Sequence, residues 1–161
     1  MMGLFMKTEI IQAIENCQNL YNRLILIVGS SYTGKTGILH IVGQETGLSI
    51  LNVNLELAKK LLDMSRKQRM LKSSSILHEI IESNYKKDEV VLLDNTEILF
   101  DTELKIDPLK LLQDLARQHC IVATWNGAIE NNSLIYGKIG HREYRKYSTE
   151  GLIIFTMDKI R

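Results

Sequence analysis

Apolar residues along the chain fall into five short runs separated by stretches of helical spacing. The runs are Leu24-Ile25-Leu26-Ile27-Val28, "LSILNVN" (48–54), "DEVVLLDN" (88–95), "CIVATW" (120–125) and "GLIIFTM" (151–157). Each has a strand's length, and Val90 to Leu93 is unbroken, as in a strand buried on both faces. Between them, Ile10, Ile11, Ile14, Cys17 and Tyr21 mark a helix over 7–21, starting near Lys7 or Thr8. Lys35 to Gln44 reads as a short helix that stops near Gly47. Asn54 is placed to cap a helix in "LELAKKLLDM", since a side-chain oxygen there accepts a first-turn amide. "SRKQRMLKSSS" (65–75) reads as a basic interruption before a helix over 76–85. The stretch 106–118 is a helix with Pro108 in its first turn. Residues 126–149, rich in Gly and Asn and then polar, read as loop. Strands alternating with helices predict an α/β fold: one domain over 1–161, with a mostly parallel five-stranded sheet and helices on both faces.

Composition changes this picture little. Apolar residues make up 45% of the 161 and charged residues 24%, enough for a core without disulfide staples. Twenty Lys and Arg against 19 Asp and Glu leave a net charge of +1, so only local patches would attract nucleic acid. Cys17 and Cys120 lack CxxC spacing, and His40, His78, His119 and His141 form no metal-binding pattern. "MMGLFMKTEIIQ" has too short an apolar stretch for a signal peptide, and no run approaches a membrane span. The expected compartment is the cytoplasm, with reduced core thiols and no membrane partner.

The chemistry lies after the first strand. "GSSYTGKT" fits G-x-x-x-x-G-K-[ST] between a strand and a helix. In such a loop the backbone amides of Gly29, Ser30, Ser31, Tyr32, Thr33, Gly34, Lys35, Thr36 and Gly37 turn toward an anion, helped by the helix dipole. Lys35 is suited to the β- and γ-phosphates, and the Thr36 hydroxyl to a bridging Mg2+. These are the residues expected to bind ATP. No NKxD motif for reading guanine is present.

Asp94 follows four apolar residues, so it sits at a strand's carboxyl end as the second expected metal residue. The next position, where ATPases with an extra strand between loop and acid usually carry glutamate, is Asn95. A carboxamide orients water but cannot take its proton. Glu97 is the candidate base, and its alternative is a solvated charge starting a helix. Asn126, at the end of the fourth strand, is the candidate γ-phosphate sensor, its alternative being an Asn-Gly turn. Trp125 reads as a packed aromatic rather than a base-stacking platform.

The segments "NVNLEL" (52–57), "LLDNTEILFD" (92–101), "DPLKLLQ" (107–113), "VATWNG" (122–127) and "GHREYRKY" (140–147), together with "GKT", resemble the BrxF family, small P-loop proteins of BREX bacteriophage-exclusion systems of the third type. The resemblance runs over nearly the whole chain. It implies a cytoplasmic nucleoside-triphosphatase-type subunit of a phage-defence operon, with a DNA methyltransferase, a helicase and other BREX components as neighbours. The chain also looks like a reduced AAA-type (ASCE) core in which no C-terminal helical lid follows the last strand.

Two basic clusters remain: Arg66, Lys67, Arg69 and Lys72; and Arg142, Arg145 and Lys146 between Tyr144 and Tyr147. Solvated surface, an arginine finger reaching a neighbouring subunit, and DNA contact all stay open for both, with Arg142 or Arg145 favoured at a subunit interface. Three functions compete: an ATPase subunit whose nucleotide state controls its grip on partners or DNA, a nucleotide-sensing scaffold with negligible hydrolysis, and a small-molecule phosphotransferase.

Overall fold

The structure, a computed structural model, describes residues 2–157. The expectation that no helical lid follows the last strand falls on residues outside that range.

Helix α1 (Met2–Cys17) leads into β1 (Leu24–Gly29), whose six residues are all buried. Helix α2 (Lys35–Thr46) ends on Gly47 at φ 75°, a left-handed cap that glycine adopts without strain. Strand β2 (Ile50–Asn52) is shorter than the apolar run suggested. Its successor α3 (Val53–Leu61) is capped by Asn52, not Asn54: the Asn52 side chain accepts from Leu55 N–H at 3.0 Å. Val53, Leu57 and Leu61 fall at i, i+4 and i+8 and are all buried, so Val53 is the first core position of a helix rather than the last of a strand.

Helix α4 (Arg66–Asn84) absorbs the basic stretch that read as an interruption. Ser65 and Gln68 form a reciprocal capping box, Gln68 N–H to Ser65 Oγ at 3.2 Å and Ser65 N–H to Gln68 Oε1 at 3.0 Å. Burial begins only at Ser73, so the first two turns are solvated and show no apolar stripe.

Strand β3 (Val90–Asp94) is followed by a 3-10 helix (Thr96–Phe100), a second short 3-10 turn (Thr102–Leu104), α5 (Pro108–Leu115) and β4 (Cys120–Asn126). Residues 126–149 are not loop throughout. They form β5 (Ala128–Glu130), β6 (Ser133–Tyr136) and β7 (Arg145–Ser148), an antiparallel three-stranded sheet, before β8 (Ile153–Thr156).

The main sheet has five strands in the order β2-β3-β4-β1-β8, all pairs parallel. Alternate side chains feed opposite faces. Leu24, Leu26, Val28, Val91, Leu93, Ile121 and Ala123 pack under α3, α4 and α5, while Ile25, Ile27, Leu92 and Val122 pack under α1 and α2. The second core contains Cys17 and Cys120, far apart in sequence, whose thiols meet at 2.9 Å in a sulfur–sulfur hydrogen bond. That bond and burial push the Cys120 thiol far above its usual range.

The antiparallel sheet joins the first core through aromatic rings. Phe100 stacks on Tyr136 with centroids 3.5 Å apart, and Trp125 meets Phe100, Tyr136 and Tyr147 edge-on. Trp125 is fully buried, as its reading as a packed aromatic predicts, and its indole N–H donates to Ile135 O at 3.2 Å. Burial raises the Tyr136 phenol to about 12.

Candidate functional site

The loop after β1 bends sharply because its residues adopt conformations rare in regular structure. Tyr32 (φ 64°) and Gly34 (φ 95°) are both left-handed. Gly29 is required for space: a Cβ there would lie 2.5 Å from Thr33 Oγ1 and 2.9 Å from Met157 Cβ. Two donors converge on Ser30 O, Thr33 Oγ1 and Lys35 Nζ, each at 2.7 Å. Gly34 begins α2 without a side-chain cap, and the first bond closing the helix is Ile38 N–H to Gly34 O at 3.0 Å. The amides ahead of Ile38 are those a helix start leaves for an outside acceptor.

Facing this loop is the carboxyl end of β3, one strand removed because β4 lies between β1 and β3. Asp94 is 5% exposed. Its Oδ1 accepts from Asn95 N–H at 2.9 Å and from Thr124 Oγ1 at 2.8 Å. Asn95 itself is left-handed (φ 54°, ψ 55°), and its carbonyl receives the Asn54 N–H at 3.1 Å, tying the start of α3 to this corner. The turn lets the chain leave β3 and enter the 3-10 helix carrying Glu97.

Loop and strand ends enclose an open cleft of about 610 Å³ lined by Ser31, Tyr32, Gly34, Lys35, Thr36, Asp94, Asn95, Glu97, Thr124 and Asn126. The sequence-expected residues Ser31, Tyr32, Gly34, Lys35, Thr36, Asp94, Asn95, Glu97 and Asn126 are thus brought together from three separate segments of the chain. Others stand apart from the lining. Gly29, Ser30 and Thr33 shape the loop from behind, and Gly37 is an exposed position of α2. Arg145 lies on β7, partly buried, its guanidinium donating to Tyr144 O at 3.1 Å. Arg142 reaches Thr102 Oγ1 at 3.2 Å.

Thr124 belongs to the lining, although Asn126 was the residue singled out on this strand. The signal available was alternation: Thr124 and Asn126 are two apart on β4 and therefore share a face. What the sequence lacked was the register, Leu93 opposite Ala123, which sets Thr124 beside Asp94.

The residues fit a magnesium–phosphate ligand. Among the described residues no three His, Cys, Asp or Glu side chains gather to hold a metal by themselves. One carboxylate and one hydroxyl on the same cleft as a glycine-rich helix start is the donor set Mg2+ uses when phosphates and water complete its shell.

No family model matches the chain, and no curated protein does. Among solved structures it is similar to one described as "Structure of C. elegans PCH-2", at 14% identity and TM-score 0.46, covering 96% of this chain. The chain spans 42% of that structure's length. Among the described residues no helix is long and apolar enough to cross a membrane.

Proposed function

We propose that the chain is a P-loop nucleoside-triphosphate-binding protein that takes Mg-ATP in the cleft between the Gly29–Thr36 loop and Asp94. The observation that carries this is the convergence of Lys35, Thr36 and Asp94 on one cleft at the carboxyl ends of parallel strands, where ligands of such sheets bind. In this reading the loop amides and Lys35 hold the phosphates, while Thr36 and Asp94 would hold the ion. The metal would neutralise charge on the β- and γ-phosphates. Glu97 and Asn95 face the water side, and Asn126 meets the terminal phosphate.

Turnover belongs to Glu97, because Asn95 lacks a basic group. Arg145, outside its own cleft, would serve a neighbouring copy as a finger. Resemblance to the BrxF family supports a subunit of a phage-defence assembly, its nucleotide state controlling contact with other BREX components or DNA. A second reading, a nucleotide-sensing scaffold with negligible hydrolysis, is favoured by Asn95 at the position after Asp94.

Calorimetry with Mg-ATP tests binding, with Lys35→Ala expected to abolish the heat. No heat from the wild type at millimolar nucleotide overturns the proposal. Phosphate release, alone and with DNA, separates the two readings. Loss in Glu97→Gln and in Arg145→Ala, with affinity retained, supports hydrolysis; binding without release supports the scaffold.

A further inference from the structure

Thr124 is 2% exposed, and its hydroxyl donates to Asp94 Oδ1 at 2.8 Å. The same oxygen receives the Asn95 amide at 2.9 Å. Both bonds therefore fall on one side of the carboxylate, and Oδ2 is outside this network. Thr124 is held in turn: Thr96 Oγ1 donates to its carbonyl at 2.6 Å, linking the strand end to the 3-10 helix that carries Glu97. A hydroxyl has a single proton. While Thr124 donates that proton to Asp94, it has none left to offer a phosphate. Asn126, two residues on and facing the same cleft, carries two amide protons.

We propose that Thr124 is a positioning residue for the divalent cation: it fixes the Asp94 carboxylate through Oδ1 so that Oδ2 is presented to the metal, and phosphate sensing is left to Asn126. This rests on the nucleotide-binding reading above. The division predicts a pattern that a general packing role would not give. Loss of the hydroxyl weakens the metal-dependent part of nucleotide binding equally for di- and triphosphate, because the metal is common to both. Metal-free binding through the loop amides and Lys35 is untouched.

The test is titration of Mg2+ into protein with a fluorescent ADP or ATP analogue, repeated in EDTA, for wild type, Thr124→Val and Thr124→Ser. Mn2+ binding followed by electron paramagnetic resonance gives a readout independent of turnover. Thr124→Val is expected to raise the half-saturating metal concentration roughly tenfold or more for both nucleotides, the scale of a lost hydrogen bond to a charged group. Thr124→Ser should restore it, and binding in EDTA should match wild type. Should Thr124→Val fail to fold, Thr124→Ala removes the same proton without placing a methyl against the carboxylate. Unchanged metal dependence overturns the proposal, as does a loss confined to the triphosphate, which would make Thr124 the phosphate sensor. Failure of the wild type to bind nucleotide at all, with or without metal, is a distinct result: it removes the underlying reading, and this inference with it.

Discussion

Replacing Trp125 with Phe tests how the antiparallel sheet is held to the cleft-facing end of β4. Trp125 is fully buried, touches three aromatic rings edge-on and donates its indole N–H to Ile135 O at 3.2 Å. Phenylalanine keeps one ring but loses the donor. The lost hydrogen bond in a buried setting is worth about 1–1.5 kcal/mol. The missing half of the indole forfeits edge contacts and leaves a gap, about 1–2 kcal/mol more. The sum is about 3 kcal/mol. A domain of this size shifts its Tm by about 2–4 °C per kcal/mol, so a fall of about 6–12 °C is expected. Thermal denaturation followed by far-UV circular dichroism measures it without relying on tryptophan emission. A fall under about 2 °C would refute the reasoning, because it would mean that neither the indole bond nor the ring edges hold β6 against β4. In the wild type Trp125 is the sole tryptophan. Its emission should be blue-shifted in the folded protein and move to the red in a single step on adding urea, since the ring leaves a water-free site.

Three more outcomes can be checked. Ser65→Ala removes one arm of the capping box of α4 and should cost about 1 kcal/mol, read as a lower urea midpoint and faster amide exchange confined to the first turns of the helix. Gly127→Ala should prevent stable folding, because its Cβ would meet the Ile135 carbonyl; a soluble variant with wild-type Tm would contradict the observed packing of β4 against β6. His119 is buried and its Nδ1 has no hydrogen-bond partner among the described residues; desolvation, then the nearby Arg23 charge, hold its pKa below the ordinary 6.5. The unfolded chain therefore takes up the proton first. Stability should be fully present above about pH 6.5 and decline as pH falls below it, and His119→Phe should flatten that part of a urea-midpoint profile.

Much of the candidate site was legible before any coordinates. The phosphate-type loop has a local signature, since glycines at fixed spacing, a lysine and a hydroxyl residue follow a continuous apolar strand. Asp94 was marked by the four apolar residues before it. The three central strands β1, β3 and β4 were legible for the same reason: residues buried on both faces leave no polar gaps.

The errors came where burial is one-sided or late. The first turns of α4 are solvated, so the Ser65–Gln68 box was the sole local sign of a helix start, and the basic residues masked it. Strands β5 to β7 are three or four residues long and half-exposed, too short for alternation to stand out against Gly and Asn. Asn52 and Asn54 are equally good caps by type; burial of Val53 against the sheet decides for Asn52.

By itself the sequence determined the order of the five main strands, the loop and the chemistry of its residues, because these depend on neighbours a few positions away. Only the tertiary structure decided that β4 lies between β1 and β3, that Thr124 meets Asp94, and that Cys17 meets Cys120. Such pairings join residues 30 and 103 positions apart. They follow from strand register and helix packing, which minimise exposed apolar surface over the whole fold and leave no local trace in the chain.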